Sequence, residues 1–173
     1  VGSLTFGNYT SVLEIGPGMG VLSAFLLEKK GADLKFIEID SESVEFLSKQ
    51  FPGIEKMIIR ADILGTSLRD IFDKPFAVIG NLPYNISSQI FFKILENRDL
   101  VCEVVCMVQR EVAARIVSPP GSKEYGILSV LLQAYYNTEI LFNVSPGVFR
   151  PPPAVMSSVM RLSRNDRSFL ECD

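Results

Sequence analysis

One stretch restricts the possible folds more than any other. Ser11–Ile15 (SVLEI) has the alternating apolar character of a short strand, stops directly on Gly16-Pro17-Gly18-Met19-Gly20, and is followed at once by a helical pattern. In that helix, Val21–Lys30, Leu22, Phe25 and Leu26 share one face and Gly31 provides the stop. The same alternation continues down the chain. Strands are expected at Leu34–Ile39, Lys56–Arg60, Phe76–Gly80 and Val101–Val108. Helices are expected at Ser41–Gln50, with Ser41 as N-cap, and at Ser87–Leu95, Gln109–Ile116 and Ile127–Tyr136. Phe76–Gly80 is apolar throughout, as a strand buried on both faces requires. Glu139–Val144 and Val155–Leu162 are separated by a proline-rich loop, Ser145–Pro153, with no helix between them, so they are expected to pair antiparallel at one edge. The fold class is therefore α/β: a Rossmann-like, doubly wound, mostly parallel seven-stranded sheet with an antiparallel edge hairpin. Residues 1–163 form one domain on this reading, and the polar tail 164–173 is a linker.

Composition removes several classes of function. With 47% hydrophobic and 21% charged residues over 173 positions, the chain is a globular protein with a sizeable core. No apolar run approaches the roughly 20 residues that span a bilayer, and Val1–Ser11 has no signal-peptide character. Three cysteines, Cys102, Cys106 and Cys172, in no framework spacing point to reduced thiols and a cytoplasmic setting. The chain has no histidine, so the commonest general base and the Ser/His and Cys/His nucleophile pairs are missing; Cys102 and Cys106 also lack partners at ligand spacing, and no metal is expected. Net charge is −3, but the acidic excess lies in residues 1–86 (8 basic, 11 acidic), while residues 87–173 are balanced at 9 and 9. A polyanionic partner would therefore favour the second half.

The glycine turn has the spacing G-x-G-x-G, with Val21 standing where a dinucleotide fingerprint needs its third glycine. The tighter turn suits a nucleoside that carries an amino acid rather than a pyrophosphate. Glu38, 18 residues past Gly20, ends the second strand where a carboxylate accepts hydrogen bonds from ribose hydroxyls. Asp62 follows the third strand and suits an adenine amine, with Ile39 and Ile63 as apolar walls. Taken singly, a glycine cluster is often only a turn, Glu38 a surface acid and Asp62 a cap. Three such features at the ends of successive strands converge on the edge where open α/β sheets bind ligands.

A second signal, Gly80-Asn81-Leu82-Pro83-Tyr84, follows the fourth strand. Pro83 pushes Leu82 out of helical geometry, so the Leu82 carbonyl is free to face the cleft, and Asn81 adds a side-chain acceptor. Two acceptors can hold both hydrogens of an aromatic amine and stabilise the positive charge that develops as its nitrogen attacks an activated methyl. Such a transfer needs alignment more than a base, which suits a chain without histidine. Tyr84 offers a flat face to the ring.

Together, Leu13-Glu14-Ile15-Gly16-Pro17-Gly18, Glu38-Ile39-Asp40, Asn81-Leu82-Pro83-Tyr84-Asn85-Ile86-Ser87, Gln109-Arg110-Glu111-Val112-Ala113, Tyr125-Gly126-Ile127-Leu128-Ser129-Val130 and Pro152-Pro153-Ala154-Val155 resemble the ribosomal RNA adenine dimethyltransferases, most closely their small-subunit, KsgA-type branch. The resemblance runs from about Ser11 to Leu162. It implies a methyltransferase fold that uses S-adenosylmethionine, releases S-adenosylhomocysteine and methylates the N6 amines of two adjacent adenines. It implies that Gly16, Gly18 and Gly20 line the methionine and ribose of the cofactor, Glu14 holds its amino end, Glu38 its ribose and Asp62 its adenine. Asn81 and the Leu82 backbone would receive the target amine, with Tyr84 and Phe149 stacking on the target base after it leaves its helix. Arg110, Arg115 and Lys123 are the candidate phosphate contacts, and a monomer is expected. The chain departs from the family in lacking a Gln-Asn-Phe-type block upstream and a helical domain after Leu162, and in carrying Ala154 and Ala61 where the family favours a basic residue and glycine. Other readings are a large-subunit methylase of the macrolide-resistance type and a non-enzymatic RNA-binding assembly factor. A protein-glutamine methyltransferase is disfavoured by Leu82, and a nicotinamide dehydrogenase by the glycine spacing.

Overall fold

A computed structural model describes residues 1–150 and 152–165. Its seven strands are β1 (Ser11–Ile15), β2 (Asp33–Glu38), β3 (Ile58–Arg60), β4 (Phe76–Asn81), β5 (Val101–Gln109), β6 (Tyr136–Val144) and β7 (Ser157–Arg164). They form one sheet in the order β3-β2-β1-β4-β5-β7-β6. The first five are parallel, and β7 runs antiparallel to both β5 and β6. The antiparallel pair thus lies at one edge, as the missing helix between β6 and β7 requires, with β7 inserted between β5 and β6.

Six α-helices cover the sheet: α1 (Val21–Leu27), α2 (Ser41–Gln50), α3 (Leu68–Ile71), α4 (Ser87–Glu96), α5 (Arg110–Val117) and α6 (Ile127–Tyr135). One core face buries Leu26 of α1 and Leu47 of α2 against Val12, Phe36, Ala77 and Ile79. The other buries Ile90, Phe91 and Ile94 of α4, Ala113 and Ile116 of α5, and Leu128 and Leu132 of α6 against Leu13, Val78, Val104 and Cys106. β1 and the first five residues of β4 are buried on both faces, which accounts for the unbroken apolar run of β4.

Several details differ from the sequence reading: α1 stops at Leu27 rather than Lys30, β6 starts at Tyr136 rather than Glu139, and four further differences bear on the packing. Asp40, not Ser41, caps α2: its Oδ2 accepts from the Ser43 amide at 2.8 Å and from Ser43 Oγ at 2.6 Å. The third strand is shorter, because Ile54–Lys56 close a 3₁₀ turn before Ile58. The last strand starts later and runs through Ser163 and Arg164, which pair with Asn137 and Tyr136, so the proposed linker cannot begin at residue 164. Residues 166–173, including Cys172, lie outside the described residues. The N-terminal segment, featureless as sequence, is a strap. Leu4 and Tyr9 are buried in the core, and the Glu103 carboxylate on β5 accepts from the Thr5 amide, Thr5 Oγ1 and the Tyr9 hydroxyl.

No helix among the described residues is long and apolar enough to cross a membrane. Cys102 and Cys106 are free and buried, and burial pushes the Cys106 thiol up to about 12, so it behaves as a small core residue rather than a nucleophile.

Candidate active site

The glycine turn, Glu38, Asp62 and Asn81 follow the carboxyl ends of β1, β2, β3 and β4, which are neighbouring parallel strands, so all four lie at one edge of the sheet. Direct contacts join them. The Gly18 amide donates to Glu38 Oε2 at 3.1 Å, and the Gly16 amide to the Ile37 carbonyl at 3.0 Å. Glu38 Oε1 accepts from the amides of Ile39 and Asp40 at 2.9 and 3.0 Å. Three backbone donors thus hold a nearly buried side chain in place before any ligand arrives.

The three glycines have different jobs. Gly16 and Gly18 have positive φ, and a Cβ on either would meet nothing within 4 Å, so their backbone borders open space. Gly20 has φ +75°, and a Cβ there would stand 2.6 Å from the Phe51 ring and 2.7 Å from Leu47 Cδ2. Gly20 lets α1 leave the turn against α2. A fourth glycine, Gly80, was not given a role from sequence. A Cβ on it would lie 2.5 Å from the Ile15 carbonyl oxygen, so only glycine allows the ends of β1 and β4 to lie this close. Exposed Met19, Val21 and Ile39 give this edge an apolar surface that a folded protein has little reason to show to water.

Glu14 sits under the glycine turn, 1% exposed, with its Oε2 accepting from Ser23 Oγ at 2.8 Å. Burial raises its pKa from 4.5 to about 7; the nearby Glu38 charge adds to the rise and the Ser23 hydrogen bond opposes it. Asp62 is exposed, and its Oδ1 accepts from the Leu64 amide at 2.9 Å, closing the local turn. Ile63 is buried in the core cluster with Leu68 and Phe72 and has little surface to offer a ligand, whereas Ile39 is 66% exposed.

Asn81, Leu82, Pro83, Tyr84, Phe149 and Pro153 line one cavity of about 240 Å³. All five residues singled out for the acceptor side are therefore together, although Phe149 is separated from Tyr84 by most of the second half of the chain. The Leu82 side chain is buried and its amide donates to the Met107 carbonyl at 3.0 Å. Among the described residues, neither the Leu82 carbonyl nor the Asn81 side chain has a hydrogen-bond partner. The Tyr84 hydroxyl bonds to Ser157 Oγ at 2.6 Å, which ties the ring to β7, a contact with no signal in the sequence. The cavity is smaller than the roughly 300–1,000 Å³ that takes a drug-sized ligand and suits a single planar ring system. A larger, mostly apolar cavity of about 530 Å³ adjoins it, sharing Asn81 and Phe149 and reaching Val21, Phe25 and Phe142.

The three basic candidates separate. Arg110 starts α5 at the carboxyl end of β5, with its amide bonded to the Met156 carbonyl and, among the described residues, no carboxylate partner. Arg115 is paired with Glu111 at 3.1 Å. Lys123 belongs to the loop after α5 that packs, through Pro119, Pro120 and Tyr125, beside Asn137 and Thr138 at the start of β6. That is the edge of the sheet away from Asn81.

The strand order, the glycine turn meeting a buried acid, and the cavity beyond β4 define a Rossmann-like methyltransferase fold. Solved structures agree. A dimethyladenosine transferase from Plasmodium falciparum superposes with a TM-score of 0.80 at 30% identity over 94% of this chain and 59% of that one. The 23S rRNA methyltransferase ErmE gives 0.80 at 29% identity over 95% and 65%. The ribosomal RNA adenine dimethylase family matches residues 3–173, and the chain belongs to that family. Ribosomal RNA small subunit methyltransferase A of Bacteroides thetaiotaomicron is 56% identical over 163 residues, 94% of this chain and 61% of that protein. Its counterpart from Cytophaga hutchinsonii is 52% identical over 167 residues, 96% and 65%. The chain thus spans about three-fifths of the length of the curated relatives it matches.

Proposed function

We propose that this chain is the catalytic domain of an enzyme that methylates the N6 amines of adenines in small-subunit ribosomal RNA, two adjacent adenines receiving two methyls each. The observation that carries the reading is the acceptor cavity. Asn81, Leu82, Pro83, Tyr84 and Phe149 surround a space of ring size immediately beyond β4, whose neighbour β1 carries the glycine turn, which in turn touches the held acid Glu38 at the end of β2. The small-subunit assignment follows the names of the relatives above 50% identity.

The residues present fit S-adenosylmethionine. The positive-φ backbone of Gly16 and Gly18 borders open space where a bulky ligand can come close, and Glu38 keeps lone pairs for hydroxyls. On this reading Gly16, Gly18 and Gly20 line the methionine and ribose, Glu14 faces the amino end, Glu38 takes the ribose, and Asp62 takes the adenine over Ile39, with Ile63 beneath. Asp62 Oδ1 already accepts one amide, so its other oxygen serves the ligand. The cofactor supplies a methyl already activated on sulfonium sulfur and leaves as S-adenosylhomocysteine.

The protein's part is to hold and to stabilise. The Asn81 side-chain oxygen and the Leu82 carbonyl accept the two amine hydrogens, and both stabilise positive charge as it grows on nitrogen. Pro83 fixes the backbone that aims that carbonyl. Tyr84, anchored by Ser157, and Phe149 sandwich the extruded base, each such stack contributing about 1–3 kcal/mol. No group has to remove a proton before attack, and none here is an imidazole. Arg110 is the phosphate contact that the placement favours. The enzyme acts as a cytoplasmic monomer on precursors of the small subunit.

The likeness to ErmE makes large-subunit RNA the competing substrate. Incubating the chain with methyl-labelled S-adenosylmethionine and either small-subunit precursor particles or large-subunit RNA, then mapping methylated adenines, decides between them. Label only in adjacent adenines of the small-subunit RNA is expected; label only in large-subunit RNA overturns the assignment.

A further inference from the structure

Among the described residues, five cations have a carboxylate within ion-pair distance: Lys49, Arg69, Lys74, Arg115 and Arg161. Arg150 is not among them. It is exposed, and among the described residues no hydrogen bond or ion pair engages its guanidinium. Its position is particular. The end of β6 at Val144 pairs with the start of β7 at Ser157, which pairs with the end of β5 at Gln109. The loop between β6 and β7 therefore lies at the same sheet edge as Asn81. Phe149 of that loop borders both cavities, and Arg150, the next residue, lines the rim of the larger one. The loop is tied to Arg110, whose amide donates to the Met156 carbonyl at 2.9 Å, and Arg110 also has no carboxylate partner.

One guanidinium without a carboxylate partner thus follows Phe149 at the rim of the larger cavity, and a second, Arg110, starts α5 at the same sheet edge, in a chain of net charge −3 whose other side chains at that edge include Glu38, Asp40 and Asp62. An arginine left unpaired at an exposed rim costs little, because water solvates it, and its planar fork matches a phosphodiester. We propose that Arg150, assisted by Arg110, binds the backbone phosphates flanking the adenosine that enters the Tyr84–Phe149 pocket. Arg150 is thereby a positioning residue for the RNA strand, holding the nucleotide over the acceptor cavity without reading its sequence. The inference deepens the function proposed above and rests on it for the identity of the base.

The test compares the parent chain with Arg150→Ala, Arg150→Lys and Arg110→Ala/Arg150→Ala, measuring the affinity for small-subunit precursor RNA by filter binding across a salt series, and methyl transfer in parallel. One phosphate contact contributes a slope of about −0.9 in log affinity against log salt. Arg150→Ala is expected to weaken RNA binding about tenfold at low salt and to flatten the slope by about one. The double variant should flatten it by about two. Arg150→Lys should restore most of the slope, and S-adenosylmethionine affinity and melting temperature should not move. An Arg150→Ala slope and affinity equal to the parent's overturn the proposal, as does a loss in turnover with unchanged RNA binding. If the parent binds the RNA but transfers no methyl, the enzymatic reading fails while the slopes still decide the role of Arg150. If the parent binds no RNA, both fall.

Discussion

Replacing Glu14 by glutamine isolates the electrostatic cost that the cofactor edge carries before it is loaded. Glu14 is almost fully buried beneath the glycine turn and its carboxyl titrates at about 7 instead of 4.5, chiefly because burial disfavours the charge, with Glu38 adding to the rise. Below pH 4.5 the folded and unfolded chains both hold the proton, and the site costs nothing. Between 4.5 and 7 the unfolded chain releases the proton while the folded chain keeps it, so stability falls as pH rises. Above 7 both are ionised and the full cost stands, on the order of 3 kcal/mol at about 1.4 kcal/mol per pH unit. Glutamine has the same shape, still accepts from Ser23, and never ionises. Urea unfolding of the parent and Glu14→Gln at pH 4.5, 6 and 8 should therefore show near-equal stability at the lowest pH and a gap opening in favour of the variant, reaching about 3 kcal/mol by pH 8. Groups common to both proteins cancel in the difference. The same charge is the natural partner of an ammonium, so parent affinity for S-adenosylmethionine should tighten from pH 6 to 8 while that of the variant stays flat and weaker. Stability curves that remain parallel across this range would show that Glu14 titrates like an ordinary carboxylate and refute the argument.

Asn81→Ala should abolish methyl transfer while leaving S-adenosylmethionine binding, measured by calorimetry, largely intact, because Asn81 lines the acceptor cavity and anchors no other side chain. Glu38→Ala removes the acceptor for the Gly18, Ile39 and Asp40 amides together with the ribose contact, and the lost charge-assisted bonds, about 1.5–3 kcal/mol each, should weaken cofactor binding at least tenfold; equal dissociation constants would remove Glu38 from the site. Gly20→Ala combines a positive φ with a methyl 2.6 Å from the Phe51 ring and should cost about 2–4 kcal/mol in thermal or urea unfolding.

What the sequence revealed and what it hid divide on a physical line. Features whose meaning is local were legible. The apolar run of Phe76–Gly80 could only be a strand buried on both faces, and the G-x-G-x-G turn could only be an abrupt strand-to-helix exit. The doubly wound order then follows from the handedness of β-α-β crossovers, which puts every strand end carrying a glycine or an acid on one edge. Hidden features depend on contacts between distant segments. Nothing in Val1–Thr10 announces a strap, because its partner, Glu103, looks like an interruption in an apolar strand until Thr5 and Tyr9 come to it from 98 and 94 residues away. Ser41 was the wrong cap because two adjacent residues could each have served, and the choice rests on which side chain reaches the Ser43 amide. Ile63 read as a wall because it follows Asp62, but the turn closed by Asp62 and Leu64 leaves it in the core.

Gly80 shows how a site can depend on a residue that touches no ligand. Asn81 can act only if it projects from β4 at the level where the β1 turn ends. Strand pairing sets Glu14 opposite Ile79, which brings Gly80 alongside Ile15. The absence of a side chain at Gly80 lets the Ile15 carbonyl stand where a Cβ would otherwise be. The obstacle would be backbone rather than a flexible side chain, so any larger residue has to push β1 and β4 apart where the glycine turn and the acceptor loop begin. On the proposed function, the two loops that would face one another across methyl and amine are thus held at a fixed distance by the sheet itself. On that reading the glycine before Asn81 would belong to the geometry of transfer as much as the asparagine does, and its signal in the sequence is only a small residue at the end of an otherwise bulky strand.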